Sequence, residues 1–177
     1  MTSGNRHRFA PHHDYHGAMR WRYLDSPIGE FSYALDGERV CATHFGRVPD
    51  ARPGDDEAAR QLHAYFGGLL TEFELPLSVS RGSDFERAVW HEMTLIPYGE
   101  TKSYGAVAAA VGEPGGAQAV GTACHRNPLP VIVPCHRIIG ADGKLVGFGG
   151  GLQRKRILLE LEANVRMQLD WNPAPLS

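Results

Sequence analysis

Two side chains able to do nucleophilic chemistry stand next to each other, as Cys135-His136. They follow an apolar, β-branched run at 131–133 and a proline, Pro134. Such a run predicts a short buried strand or extended segment, and the proline would block further ladder pairing. A thiol there is held on stiff backbone, and nearby cations or hydrogen-bond donors raise its reactive thiolate fraction. The dipeptide alone favours a plainer interpretation, a buried apolar cysteine beside a core histidine, so the rest of the chain must decide.

A carboxylate that could serve this pair lies in the last predicted helix. Leu158, Leu161 and Val165 form the buried stripe of that helix, and Glu162 lies beside it. A shielded carboxylate needs a partner, and we predict His136. A cysteine hydrolase could use Cys135, His136 and Glu162, but adjacent Cys and His make direct pairing awkward and no oxyanion motif is evident. A water-bridged relay suits the adjacency better.

The composition excludes several classes of protein. With 177 residues and 42% hydrophobic content, the chain can bury a core as one domain, or one domain plus a small lobe. A net charge of -2 argues against a globally basic coat protein, so DNA contact needs a local basic face. Three cysteines argue against a disulfide framework and for a reducing compartment. Without a bilayer-length apolar stretch or a signal-type N-terminus, we expect a soluble, intracellular protein with no membrane contact.

The first half of the chain predicts a small α+β lobe at 21–80. Residues 1–20 are polar and rich in histidine, which favours a flexible tail over a zinc site because no cysteine accompanies them. Short apolar runs between turn residues then predict an antiparallel meander. We predict strands at 21–24, 30–35, 39–45 and 73–79, a loop at 46–56, and a helix at 57–70 that buries Leu62, Tyr65, Phe66 and Leu69. Nothing in this lobe demands chemistry, and Cys41 is most simply a core residue.

The second half predicts mainly helices. Ser83 and Glu86 can cap a helix that stops near Pro97. Two short helices at 106–111 and 117–124 flank a glycine-rich turn, the layout of a helix-turn-helix. The second helix carries almost only small side chains, which suits packing against another helix or docking in a DNA minor groove. It disfavours a plain helix-turn-helix transcription regulator, which reads bases with long polar side chains. The prediction is completed by a turn at 140–144, glycines at 149–151, a last helix from 152 to about 167 and a tail at 169–177.

Several motifs together resemble the catalytic domain of O6-alkylguanine-DNA alkyltransferases (methylated-DNA–protein-cysteine methyltransferases). They lie within 85–163, and the most specific is Pro-Cys-His-Arg at 134–137. The matching segments are Ile96-Pro97-Tyr98-Gly99-Glu100, Ser103-Tyr104, Ala119-Val120-Gly121, Asn127-Pro128, Ile132-Val133-Pro134-Cys135-His136-Arg137-Ile138-Ile139 and Gly150-Gly151-Leu152. The resemblance implies an α+β fold, with a small N-terminal antiparallel-sheet lobe (21–80) and a mainly helical C-terminal domain (81–168) that carries the helix-turn-helix and the active-site cysteine.

The resemblance implies direct-reversal DNA repair by a single-turnover enzyme. The alkyl group of O6-alkylguanine, and of O4-alkylthymine, would pass irreversibly to Cys135 after the base is flipped out of duplex DNA. Glu162 would orient His136, which would polarise a water that deprotonates the thiol. Asn127 would tie the recognition helix to the active-site segment, and Tyr104 would hydrogen-bond the guanine ring.

The resemblance also assigns a substrate pocket and a DNA-binding surface. Carbonyl groups of Cys135 and Ile138 would accept from the guanine amino group, and Arg137 resembles a structural arginine without a chemical role. The pocket residues would be Pro130, Ile138, Phe148, Gly149 and Gly150. Residues in the minor groove would be Ala117, Gln118, Ala119, Thr122, Ala123 and Arg126. Phosphate contacts could come from Arg126, Lys144, Arg154, Lys155 and Arg156.

Two positions depart from the family pattern. Gln118 stands where the family commonly has an arginine that fills the gap left by the flipped base, so we predict weaker or slower base extrusion. Phe148 replaces a frequent tyrosine and has Gly149 beside it, which suggests a roomier apolar pocket that admits larger alkyl groups.

The remaining expectations concern partners and rival functions. We expect no cofactor, and no metal because Cys41 is the only cysteine in the N-terminal lobe. The partner would be alkylated double-stranded DNA, bound by a monomer at the nucleoid in a bacterial-type cytoplasm. The alternative is an alkyltransferase-like lesion-binding protein with weak or no transfer. That class lacks the cysteine and usually has tryptophan there, whereas Cys135 is present.

Overall fold

The computed structural model describes residues 19–172. Residues 1–18 and 173–177 lie outside this range, and with them most of the predicted histidine-rich tail. Within 19–172, no helix has both the length and the apolar character needed to cross a membrane.

The N-terminal lobe is built on a four-stranded sheet. Its strands are β1 (Arg20–Leu24), β2 (Phe31–Asp36), β3 (Arg39–Phe45) and β4 (Arg52–Pro53), in the order β3-β2-β1-β4. The predicted meander is confirmed, because β2 runs antiparallel to both β1 and β3. The predicted loop at 46–56 is wrong where β4 pairs in parallel with β1. A two-residue strand within a segment rich in glycine and proline has no periodicity that a sequence pattern could reveal.

Helix α1 (Glu57–Phe66) is fastened to this sheet at its first turn. Asp56 accepts a hydrogen bond from the Ala59 N–H at 2.9 Å and another from the Tyr33 hydroxyl at 2.8 Å. The helix ends one turn before the predicted residue because two glycines follow, of which Gly68 has φ +75°. Leu69, predicted on the buried face, is therefore 68% exposed.

The strand predicted at 73–79 is wrong. Phe73, Leu75 and Leu77 are buried, but the segment makes only an isolated bridge between Leu77 and Val40. Pro76 interrupts the run and has no N–H to donate to a ladder. Alternating burial here reflects an extended chain against the core, which gives the same sequence pattern as a strand.

Three helices form the body of the C-terminal part: α2 (Asp84–Thr94), α3 (Tyr104–Ala110) and α4 (Ala117–His125). The predicted cap of α2 is confirmed, since Ser83 Oγ accepts from the Glu86 N–H and the Glu86 carboxylate accepts from the Ser83 N–H. The Trp90 indole donates to the Ala123 carbonyl at 2.8 Å and so holds α4 against α2. The predicted pair of short helices, α3 and α4, is present, and the two pack on each other.

The segment carrying the cysteine is buried but mostly not a strand. Cys135–Arg137 form a single 3₁₀ turn, and the strand is confined to β6 (Ile138–Ile139), which pairs in parallel with β5 (Lys102–Ser103). Upstream, Val131 has φ +76°, a strained value for a β-branched residue. The backbone therefore bends tightly just before the thiol, where the β-branched run favoured an extended segment.

Helix α5 (Leu152–Trp171) completes the fold and places Leu158, Glu162 and Val165 on its buried side. It runs about one turn past the predicted end near Met167 and into the predicted tail. The sequence offers no helix-breaking residue before Pro173, and a helix usually stops at or before the residue preceding a proline.

Candidate active site

A buried carboxylate lies at the centre of the site. Glu162 Oε2 is 2.6 Å from His136 Nε2, so the structure brings together the predicted pair. Arg137 donates to both carboxylate oxygens, from Nε at 2.8 Å and from Nη2 at 3.2 Å. The backbone N–H of Gly99 donates to Oε1 at 3.1 Å. Charged and neutral donors thus hold the carboxylate in one orientation.

The neighbours of this pair fix its charge state. Burial alone would raise the pKa of Glu162, but His136 and Arg137 oppose it and hold that pKa well below the usual range. Burial lowers the pKa of His136 and outweighs the opposing effect of Glu162. The pair therefore rests as a carboxylate and a neutral imidazole, with Nε2–H donated to Glu162. His136 Nδ1 is buried without a hydrogen-bond partner among the described residues, so its lone pair is available to accept a proton.

Arg137 is held on three sides. Besides Glu162, it donates from Nη1 to the Ile96 carbonyl at 2.8 Å, and its guanidinium lies 5.6 Å from the Tyr98 ring centroid. The side chain does not line the cavities described below. This arrangement fits a structural arginine that neutralises the buried carboxylate.

Sequence reasoning missed Tyr65 of α1. Its hydroxyl donates to Glu162 Oε2 at 2.6 Å and lies 3.5 Å from His136 Nε2. Burial and the nearby Glu162 charge raise the pKa of Tyr65, so it stays a donor. The pattern of α1 predicted only that Tyr65 is buried. Its polar partner lies 97 residues away in sequence, and no local pattern encodes that contact.

The thiol is almost enclosed. Cys135 is 6% exposed, and burial raises its pKa while the Asn127 amide and the Lys155 ammonium act in the opposite direction. Asn127 also donates to the Val133 carbonyl at 3.0 Å and accepts from the Leu129 N–H at 2.9 Å. Asn127 thereby connects the end of α4 to the bend that carries Cys135, which is where the sequence predicted a bridging residue. A thiol with a raised pKa needs a base to become nucleophilic.

Lys155 was expected on a phosphate-contacting surface, and that expectation is wrong. The side chain is fully buried, and Nζ donates to the carbonyls of Ile138, Val146 and Gly147. Its ammonium lies 5.8 Å from the Tyr104 ring centroid. Lys155 therefore fastens the segment after Cys135 to α5 and places a positive charge near the thiol.

A cavity of about 600 Å³ opens over the thiol. Cys135 is part of its lining, together with residues of α3, α4 and the 146–149 segment. The predicted pocket residues Phe148 and Gly149 line it, and they also line an adjoining cavity of about 480 Å³ that includes Pro130. Ile138 and Gly150 line neither cavity, which corrects their predicted place. Ile138 is fully buried, and a Cβ on Gly150 would lie 2.8 Å from the Phe45 ring, so Gly150 lies behind the wall.

Tyr104 is part of the wall of the larger cavity. Its hydroxyl donates to the Val146 carbonyl at 3.0 Å and lies 3.3 Å from the Gly147 carbonyl. Burial raises the pKa of Tyr104 to about 12, so it remains protonated. Tyr104 and Lys155 thus hold the same two carbonyl groups at the mouth of the cavity.

Helix α4 presents most of the predicted DNA-contact residues. Gln118, Ala119, Thr122 and Arg126 are exposed, and Ala117 is half-buried. Arg126 is 3.4 Å from a carboxylate oxygen of Glu86. Ala123 is the exception, since it is 1% exposed and packs inward, which removes it from the predicted contact surface. The helical repeat explains this, because Val120 and Ala123 share the inner face.

The described residues offer no candidate metal centre. Among residues 19–172, no three or more His, Cys, Asp or Glu side chains are grouped so that they could hold an ion. Cys41 is half-buried in β3 and lies 3.5 Å from the Ala34 carbonyl.

Comparison with known proteins identifies the family of this chain. The family described as "6-O-methylguanine DNA methyltransferase, DNA binding domain" matches residues 84–164. A methylated-DNA–protein-cysteine methyltransferase of Mycobacterium bovis is 48% identical over 156 residues, covering 81% of this chain and 92% of that protein. The enzyme of the same name from Methanosarcina barkeri is 52% identical, covering 82% and 98%. The crystal structure of Mycobacterium tuberculosis O6-methylguanine methyltransferase has a TM-score of 0.76 at 47% identity, covering 83% and 94%. The chain therefore belongs to the methylated-DNA–protein-cysteine methyltransferase family and is a DNA-repair methyltransferase.

Proposed function

We propose that this protein transfers the alkyl group of O6-alkylguanine, and of O4-alkylthymine, from duplex DNA to Sγ of Cys135 in a single irreversible turnover. The observation that carries the proposal is the position of Cys135, whose thiol faces a cavity lined by helix α4 and lies next to the buried His136–Glu162 pair. A solved Mycobacterium tuberculosis structure in complex with DNA, 47% identical with a TM-score of 0.75, supports DNA as the partner. Domain 81–168 would hold both the DNA-binding surface and the reacting groups.

The enclosure of the thiol supports base flipping. Cys135 is nearly buried beneath the cavity, so an O6 substituent within the base stack could not reach it. The cavity volume of about 600 Å³ is in the range that accepts a flipped nucleobase. Helix α4 would enter the minor groove, because its exposed small side chains permit close approach to the backbone.

The proton on Cys135 would leave through His136. Nδ1 of His136 has a free lone pair, and a water between it and Sγ would carry the proton from the thiol to the imidazole. The thiolate attacks the alkyl carbon in line, the S–C bond forms, and the C–O6 bond breaks. The guanine keeps the electron pair and takes up one proton to become an ordinary base, which balances the proton that the thiol gave up to the relay. Glu162 stabilises the imidazolium that this relay produces.

The pocket wall supports a range of alkyl groups. Phe148 and Gly149 line both cavities, and the smaller cavity adjoins the larger one at Cys135. An apolar group longer than methyl could extend from the attacked carbon into the adjoining space, lined by Pro130 and Phe45. We expect the protein to accept benzylguanine in addition to methylguanine. A strong preference for methyl would contradict this part of the proposal.

Intact mass after incubation with an O6-methylguanine duplex tests the proposal. We expect one added methyl group per chain, mapped by peptide mass to Cys135 and absent in Cys135→Ala. Cys124→Ala is the matched control, because Cys124 lines the same cavities but burial raises its pKa to about 12. That variant should take up the methyl group as the unchanged protein does. Tight binding without a mass change would instead indicate a lesion-binding protein.

With duplex DNA as its partner, the protein would act at the nucleoid, in a bacterial-type cytoplasm, as a monomer and without a cofactor.

A further inference from the structure

The N-terminal lobe contributes a polar group to the active site. Tyr65 lies on α1, whereas His136 and Glu162 belong to the C-terminal part of the chain. The Tyr65 ring is 1% exposed and is fixed by Phe66, Phe73 and Tyr98, at centroid distances of 5.4, 5.1 and 6.2 Å. The ring therefore has no room to swing its hydroxyl away from the carboxylate.

The Tyr65 hydroxyl and the histidine share one oxygen atom. Glu162 Oε2 accepts from Tyr65 at 2.6 Å and from His136 Nε2 at 2.6 Å, while Arg137 Nη2 reaches it at 3.2 Å. A hydrogen bond donated to a carboxylate oxygen disperses its negative charge. Less of that charge is then available to stabilise a proton on the imidazole.

We propose that Tyr65 is a positioning residue that tunes, through Glu162, how readily His136 accepts and releases the proton of Cys135. The inference rests on the proposed alkyl transfer, since it concerns the same relay. It gives the N-terminal lobe a chemical task in a reaction whose nucleophile and base both lie outside that lobe.

The direction of the effect follows from the groups that face His136. Glu162 favours the imidazolium, whereas Arg137 and Lys155 disfavour it, and burial disfavours it most. By donating to Glu162, Tyr65 weakens the stabilisation that Glu162 gives to the imidazolium of His136. The Tyr98 hydroxyl also lies nearby, but it makes no hydrogen bond among the described residues. Removing the Tyr65 hydroxyl should therefore raise the pKa of His136 and retain the relay proton on the imidazole at higher pH.

A structural role alone would give a different result. If Tyr65 only filled space between the lobes, Tyr65→Phe would keep the packing and leave the pH dependence of the thiol unchanged. Tyr98→Phe is the matched control, because it removes a second buried hydroxyl close to Glu162 that makes no hydrogen bond among residues 19–172. Both variants keep an aromatic ring, so both should fold.

The experiment measures the rate at which iodoacetamide alkylates Cys135 between pH 5 and pH 9, with the modified cysteine identified by peptide mass. Single-turnover transfer from an O6-methylguanine duplex is measured over the same range. For Tyr65→Phe we expect the acid limb of both profiles to move up by about half a unit to one unit, so that rates on that limb fall roughly two- to tenfold, whereas rates above the limb change little. Tyr98→Phe should superimpose on the unchanged protein. Incorporating 3-fluorotyrosine at position 65, a stronger donor, should move the limb to lower pH.

Two outcomes would overturn the inference: an unmoved limb in Tyr65→Phe, or equal shifts in Tyr65→Phe and Tyr98→Phe. Should the unchanged protein transfer no alkyl group from DNA, the proposed function fails, but the iodoacetamide profiles still decide the role of Tyr65. The two failures are therefore distinguishable.

Discussion

Phe45 at the end of β3 packs edge-to-face against Phe148, which lines the cavity over Cys135, with ring centroids 5.4 Å apart. Phe45 also occupies the space that a side chain on Gly150 would need. Arg154 reinforces the contact by donating to the Ile28 carbonyl in one lobe and to the Gly150 carbonyl in the other. The N-terminal lobe thereby supports the wall of a cavity whose reactive residue lies in the C-terminal part.

Replacing Phe45 with alanine should loosen this wall. We expect a loss of about 1–3 kcal/mol in the free energy of unfolding, because a partly buried ring is removed from between the lobes. The methylguanine rate should fall more than the benzylguanine rate, since the larger group fills the enlarged space. Denaturant unfolding and single-turnover rates measure the two effects. Leu69→Ala is the control, because Leu69 is exposed on the same lobe. Equal losses for both substrates would show that Phe45 does not shape the pocket.

Gln118→Arg should strengthen binding to damaged duplex DNA and increase the transfer rate. Gln118 is exposed on α4 and lines the cavity mouth, so an arginine there could fill the gap left by the flipped base. The slope of log affinity against log salt should steepen by about one counterion. Titrations at several salt concentrations and single-turnover kinetics provide the readouts. Gln118→Met is the control: it introduces a long side chain without the positive charge of arginine, and it should not reproduce the gain in binding and transfer rate. An unchanged transfer rate in Gln118→Arg would contradict the prediction.

Lys155→Met should destabilise the protein and slow transfer. The substitution keeps the apolar stem but removes the ammonium from the carbonyls of Ile138, Val146 and Gly147, of which the last two keep only the Tyr104 hydroxyl, at a cost of about 2–4 kcal/mol. It also removes a positive charge that lowers the pKa of Cys135, so the thiol should react more slowly at neutral pH. Thermal unfolding and iodoacetamide kinetics check the two parts. Lys144→Met changes an exposed lysine and should leave both unchanged.

Glu162→Gln should make the free energy of unfolding less dependent on pH in the acid range. The folded-state pKa of Glu162 lies below its usual value, so the unfolded chain binds this proton first as the pH falls. The ionised carboxylate therefore stabilises the fold fully above about pH 4.3, its unfolded pKa, and the contribution fades below that value. At pH 7 we expect Glu162→Gln to be about 3–5 kcal/mol less stable, because Arg137 is left buried without its counter-ion.

Denaturant midpoints at pH 7, 5 and 3.5 test this dependence. The difference in denaturant midpoint between the unchanged protein and Glu162→Gln should be constant between pH 7 and pH 5 and should become smaller at pH 3.5. Glu160→Gln, which removes an exposed carboxylate of the same helix, serves as the comparison, and its midpoints should stay close to those of the unchanged protein at every pH. A difference for Glu162→Gln that is constant over the whole range would contradict the expected titration.

The family and the candidate reacting pair were predictable from local sequence patterns alone. Cys135 and His136 are adjacent in a specific signature, so no tertiary information was needed to find them. The capping box of α2 was equally predictable, because Ser83 and Glu86 are separated by three positions that one helical turn brings together. Glu162 was found because a carboxylate beside an apolar stripe needs a partner. All of these signals are local, or depend on the unfavourable burial of an unpaired charge.

The residues that enclose the candidate site became visible only in the packed structure. Tyr65 was predicted only as a buried residue of α1, yet its hydroxyl donates to Glu162. Lys155 was predicted as a surface charge, yet it donates to the Val146 carbonyl at the cavity mouth. Phe45 was predicted only as a strand residue, yet it packs against Phe148 in the cavity wall. Burial of Ala123 depended on which face of α4 meets Trp90. These roles arise because packing of the two lobes brings together side chains far apart in sequence, and helical or strand periodicity records which side is buried but not which group lies against it.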